Sequence, residues 1–195
     1  MNYTDKELQD HEFNYWINSH KQPFIHKNFY KEFYDFNQLT DKKVVDIGCG
    51  GSPISEYCDV KDLNLTIVDP LIEKLIQHNK YAHLKKYNYF SGSLFDFNDT
   101  NYDCLICLNV IDHFNDPEYK CVEKFYDILA KNSELWLYYD LRNKNDEHHL
   151  AIDEEKIIKK IKNKFDIIKI SDSINPNHIS WSSINKSIRM ICKKQ

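Results

Sequence analysis

One stretch, Val44-Val45-Asp46-Ile47-Gly48-Cys49-Gly50-Gly51-Ser52-Pro53, constrains the fold of this 195-residue chain more than any other. The apolar, β-branched run KKVVDI enters a turn whose glycines let the backbone approach a ligand closely. Ser52-Pro53 then suits a helix start, with proline in the first turn. A strand, a glycine turn and a helix N-terminus with free N–H groups together form the ligand edge of an open α/β sheet. The pattern repeats downstream. LNLTIVD reads as a second strand, PLIEKLIQHNK as a helix, KYNYFSG as a third strand and DCLICLN as a fourth. DPEYKCVEKFYDILA puts Cys121, Val122, Phe125, Ile128 and Leu129 on one helical face. SELWLYYDL is a fifth strand, and IDEEKIIKKIKNK a helix entered through Asp153. KFDIIKIS and SIRMICKK follow, joined by a polar loop around Asn175-Pro176-Asn177. Repeated βα units predict a mostly parallel seven-stranded α/β sheet with helices on both faces, its last strand antiparallel.

Residues 1–40 are a different kind of text. ELQDHEFNYWINSH and PFIHKNFYKEFYDFNQL space their aromatics as amphipathic helices do, with Pro23 at the break. They are read as an N-terminal helical cap before the main domain, residues 41–195. A hydrophobic content of 42% is enough for one core. The net charge of −4 argues against a nucleic-acid partner. The lysines at 156, 159, 160, 162 and 164 read as the solvated face of a helix. The opening residues, MNYTDKELQD, are polar and acidic, and no apolar run reaches the ~20 residues that span a bilayer. A cytoplasmic, reducing location with free thiols is therefore expected. Cys104 and Cys107 form a CxxC, but on a strand they point to opposite faces, so no metal site is expected there.

The glycine turn gains meaning from Asp69, which closes the run LTIVDP about nineteen residues after Gly50 and is placed to accept both ribose hydroxyls of an adenosine group. DIGCGG resembles the first motif of class I S-adenosylmethionine (SAM) dependent methyltransferases. IVDP resembles their second motif, and YDCLICLNVIDHFNDPE their fourth-strand motif. The resemblance covers about Lys42 to Asp140. It implies a Rossmann-like fold, SAM as cofactor, and methyl transfer to an oxygen or nitrogen. It also implies that Asp46, Gly48, Cys49 and Gly50 line the methionine end of SAM. Asp69 would hold the ribose, with Pro70 and Leu71 beside the adenine. Leu94 would offer the adenine a backbone N–H and Ser93 a side chain, while Asn109 and Val110 would lie under the amino group and sulfonium. Two positions depart from the family pattern. Ser52 stands at the third glycine, and Ser93 where an aspartate often meets the adenine amine; Asp96 is a candidate substitute.

Other residues keep two readings. His113 serves as general base or orients a loop, and Asp112 caps a helix or belongs to the site. Tyr15, Trp16, Tyr30 and Tyr34 form a lid or pack onto the fold. Tyr139, Arg142 and His148 fall where an acceptor would arrive, and His148-His149 reads as a substrate-side loop more readily than as a metal site. No NPPY segment is present, which favours a small-molecule, sugar or lipid-precursor acceptor. The alternatives are a non-catalytic SAM-binding or scaffold protein and an NAD-dependent oxidoreductase. The second is disfavoured because Pro53 occupies the last glycine of a GxGxxG turn.

Overall fold

The computed structural model describes residues 5–18, 24–60, 62–114, 116–142, 151–173 and 184–195. The helices are α1 (Asp5–Asn18), α2 (Phe24–Lys31), α3 (Ile72–Gln77), α4 (Lys120–Ile128) and α5 (Glu154–Lys162). The strands are β1 (Lys43–Ile47), β2 (Asn64–Val68), β3 (Asn88–Phe90), β4 (Tyr102–Leu108), β5 (Leu129–Arg142), β6 (Phe165–Ser173) and β7 (Ile184–Lys194). They form one seven-stranded sheet in the order β3-β2-β1-β4-β5-β7-β6. β3 through β5 pair in parallel, and β7 lies antiparallel between β5 and β6. The mostly parallel sheet and the antiparallel last strand match the expectation. The order reverses beside β1, and at such a switch point the C-terminal strand ends leave a crevice.

The alternation of side chains divides the core in two. Val45, Leu105, Cys107, Leu135, Leu137 and Tyr139 face α4 and α5, with Phe125, Ile157 and Ile161. Val44, Ile106, Trp136 and Tyr138 face the other way, toward α3 and the segment from Phe29 to Leu39. Trp136 is fully buried, with Tyr34 stacked on it at 5.2 Å, and the Tyr34 hydroxyl donates to the Leu137 carbonyl. Cys104 and Cys107 fall in opposite clusters, as their spacing predicts. All six cysteines are free, and the described residues contain no cluster that would hold a metal ion. Among the described residues, no helix is long and apolar enough to cross a membrane. Asp153 caps α5, its side chain accepting from the Lys156 N–H.

One expectation fails locally, and one open alternative is decided. No α-helix follows the glycine turn; Pro53 is extended and only a single 3-10 turn, Ile54–Glu56, forms. About ten residues separate Pro53 from β2, fewer than a helical crossover needs, and Tyr57 and Cys58 are buried directly instead. α4 begins at Lys120, and it is the buried Asp116, not Asp112, whose carboxylate accepts from a first-turn N–H, that of Cys121 at 2.8 Å. The polar loop expected around Asn175-Pro176-Asn177 lies outside the described residues.

Candidate active site

The glycine turn and the end of β2 are tied together by one carboxylate. Asp69 Oδ2 accepts from the Gly50 N–H and Oδ1 from the Leu71 N–H, each at 2.8 Å. Gly48 and Gly50 have φ of +68° and +55°, the left-handed region that favours glycine. A Cβ on Gly48 would meet Val110 Cγ2 at 2.3 Å, so the chain after β4 packs straight onto the turn. A carboxylate oxygen has two lone pairs. Each oxygen of Asp69 therefore keeps capacity for one more donor, such as a hydroxyl of a vicinal diol. Asp69 is only 5% exposed. Burial pushes its carboxyl up, its two N–H donors pull it down, Glu12 of α1 raises it again and His113 lowers it.

Asp46 sits lower in the turn, 3% exposed, and accepts from the Ile54 N–H at 2.6 Å. Burial pushes its carboxyl up to about 7, the Ile54 N–H opposes this, and Asp69 adds to it. Between its ordinary value near 4 and pH 7 the folded chain thus holds a proton that the unfolded chain releases. This carboxyl therefore makes folding less favourable as pH rises through that window. Burial also pushes the Cys49 thiol up, which keeps it protonated and unreactive.

The other residues singled out from sequence are placed as follows. Ser93 donates to Asp96 Oδ2 at 2.8 Å, next to the buried Leu94, so the two candidate adenine groups form one pair. Pro70 is exposed and Leu71 buried. Asn109, at φ +60°, ends β4, and no donor among the described residues reaches its buried Oδ1. Val110 leads into the turn Ile111–His113, where Asp112 is buried and His113 Nδ1 lies 3.9 Å from Glu12 Oε1. Tyr15 is exposed and Trp16 half-buried on α1, whereas Tyr30 and Tyr34 are core residues. Tyr30 packs edge-on against Tyr57 and Tyr138. Tyr139 is fully buried, and its hydroxyl finds no partner among the described residues. Arg142 ends β5, and His148 lies outside the described residues. Sequence reasoning misses Glu12 and Tyr81. The Tyr81 hydroxyl donates to the Trp16 carbonyl at 2.7 Å across 65 positions of chain, a distance no local pattern encodes.

A family model described as a methyltransferase domain matches residues 18–175, well over half of the chain. The ubiquinone biosynthesis O-methyltransferase of Rickettsia bellii is 33% identical over 81 residues, covering 40% of this chain and 34% of that protein. The chain thus spans about a third of the length of the curated relatives it matches first. Among solved structures, the N-methyltransferase NodS of Bradyrhizobium japonicum, in complex with S-adenosylhomocysteine (SAH), superposes with a TM-score of 0.69 at 11% identity, covering 96% of this chain and 97% of that one. The 1,6-didemethyltoxoflavin-N1-methyltransferase of Burkholderia thailandensis, with 1,6-didemethyltoxoflavin and SAH bound, gives 0.67 at 12% identity, covering 97% and 87%. At such identities these likenesses concern the fold. With the family match and the turn geometry they lead to one conclusion: the chain belongs to the methyltransferase-domain family, whose class I members take their methyl group from SAM.

Proposed function

We propose that the chain transfers a methyl group from SAM to an oxygen or nitrogen of a small molecule or of a sugar or lipid precursor. The observation that carries this reading is the joint held by Asp69, which fixes the glycine turn and the β2 end while keeping lone pairs for a ribose diol. The orphaned Asn109 Oδ1 adds a buried acceptor where an amino group would lie, so the residues fit the cofactor. Asp46, Gly48, Cys49 and Gly50 would hold the methionine end. Leu71, with Pro70, would flank the adenine, and Leu94 and the Ser93–Asp96 pair would meet its edge. SAM, when bound, supplies an electrophilic methyl group on a positive sulfonium. The chain's part is to align the acceptor with it and to exclude water. The acceptor would arrive over Asn109 to His113, between α1 and the end of β5, with Tyr15 and Trp16 of α1 on its side. The Rickettsia relative is named for O-methylation in ubiquinone biosynthesis and the two structural neighbours for N-methylation, one of them of 1,6-didemethyltoxoflavin, which supports an oxygen or nitrogen acceptor.

Calorimetry should show binding of SAM and SAH and none of NAD. NAD binding without SAM binding would end this reading. A chain that binds SAM yet methylates no member of a panel of phenols, alcohols and amines would point to the scaffold alternative.

Asp46 adds a pH signature. Its carboxyl, pushed up to about 7, is largely protonated at pH 6 and ionised at pH 8. A cationic ligand favours the ionised form, so SAM binding should release a proton near neutral pH and tighten as pH rises from 6 to 8. Calorimetry in buffers of different ionisation enthalpy measures the release. Asp46→Asn should abolish it, and proton release that persists in that variant would place the titrating group elsewhere.

A further inference from the structure

A glycine at position 50 leaves room for close approach to the turn, and in this structure the chain itself takes that room. A Cβ there would fall about 2.3 Å from the Trp16 indole, so the ring lies directly on the Gly50 backbone. One turn earlier on α1, Glu12 stands near Asp69 and His113, and the carboxylate assigned to the ribose is 5% exposed. α1 therefore covers the turn, and it brings the Glu12 carboxylate close enough to act on that of Asp69.

α1 buries little of its surface. None of its described side chains is buried, whereas Phe29, Tyr30, Phe33 and Tyr34 just downstream all are. Phe13, Trp16 and Ile17 pack only partly against the core. The Lys74–Asp10 pair is exposed, at 3.3 Å, and such pairs contribute little. At its C-terminal end the Trp16 carbonyl accepts from the Tyr81 hydroxyl at 2.7 Å and from Lys80 Nζ at 2.8 Å. The Tyr81 ring also lies against the glycine turn, since a Cβ on Gly51 would meet it at 2.4 Å. An element with none of its described side chains buried is the kind that opens locally at low cost.

We propose that α1 is a self-occupying plug: without cofactor the Trp16 indole fills the place over Gly50, and SAM seats only after α1 has moved off the turn. The inference rests on the reading that Gly50 and Asp69 line the cofactor groove. A competing internal occupant lowers apparent affinity in proportion to the fraction of molecules left open. Loosening the plug must therefore tighten cofactor binding, and a lid that only closes over bound cofactor requires the opposite sign.

The test is calorimetric titration of the full chain with SAH, with thermal melting as a check on folding. Trp16→Ala should bind SAH about fivefold to tenfold more tightly than the parent, and Tyr81→Phe, which removes the bond to the Trp16 carbonyl, about twofold to threefold. Tyr81→Phe decides the matter if Trp16→Ala does not fold. Equal or weaker binding in a folded variant overturns the plug. Asp69→Ala in parallel separates the two readings. If it still costs affinity while Trp16→Ala gains none, the groove stands and the plug falls. If Asp69→Ala binds SAH like the parent, the groove assignment fails and takes the plug with it.

Discussion

Replacing Asp69 by alanine is expected to weaken SAM and SAH binding by about 1.5–3 kcal/mol, the range for hydrogen bonds made to a charged group. The carboxylate is proposed to take both ribose hydroxyls, and the alanine has nothing to offer them. The structure adds a second consequence. Asp69 also accepts the Gly50 and Leu71 N–H groups, both in a buried setting. Alanine would leave two donors unsatisfied at about 1–3 kcal/mol each before any relaxation or entry of water. The variant should therefore also melt earlier than the parent, whereas sequence alone suggested only a ligand contact at a strand end. Asp69→Asn separates the effects, because one amide oxygen can still accept from one of the two N–H groups. It should recover part of the lost stability and little of the lost affinity. Cofactor affinity unchanged in both variants would show that the ribose is held elsewhere.

His113→Ala should lower the rate of methyl transfer about 100-fold or more if the acceptor is a hydroxyl that needs a general base, with SAH affinity nearly intact. The imidazole closes the turn Ile111–His113 that follows Asn109 and Val110 at the ligand end of β4, and its Nδ1 lies 3.9 Å from Glu12 Oε1. That places it where an acceptor would arrive from the side of α1. His113→Asn retains a polar group of similar reach but no basic nitrogen, so it should lose the same factor. Comparing initial rates at saturating SAM and acceptor, with SAH binding measured alongside, isolates the chemical step. A fully active His113→Ala removes the base, and the remaining function of the site would then be alignment, which suffices for a neutral amine.

The residues that read most clearly from sequence are those whose signal is local. The short apolar runs that became β1, β2, β4 and β5 are legible because a sheet covered on both faces asks for nearly continuous apolar strands. The glycines at 48 and 50 announce positive φ, and the structure has it there. Asp153 announces a helix cap, and it caps α5. The antiparallel final strand follows from a closing hairpin too short for a crossover. The lost helix after the glycine turn also had a local clue, the short span to β2, but Ser52-Pro53 favoured a helix start more strongly than chain length opposed it.

What tertiary structure alone decided lies in contacts between distant parts of the chain. Which tyrosines of the N-terminal segment pack into the core depends on the stretch from Phe29 to Phe36 meeting Trp136 and Tyr138, more than a hundred positions away in the case of Tyr34 and the Leu137 carbonyl. The same holds for the double engagement of Asp69, the raised carboxyl of Asp46 and the seating of Trp16 on Gly50. Periodicity and turn chemistry report the conformation of a few consecutive residues. Burial, the electrostatic surroundings of a carboxylate and the occupant of a groove are set by whichever remote segment packs there, and they exist only once the chain has folded.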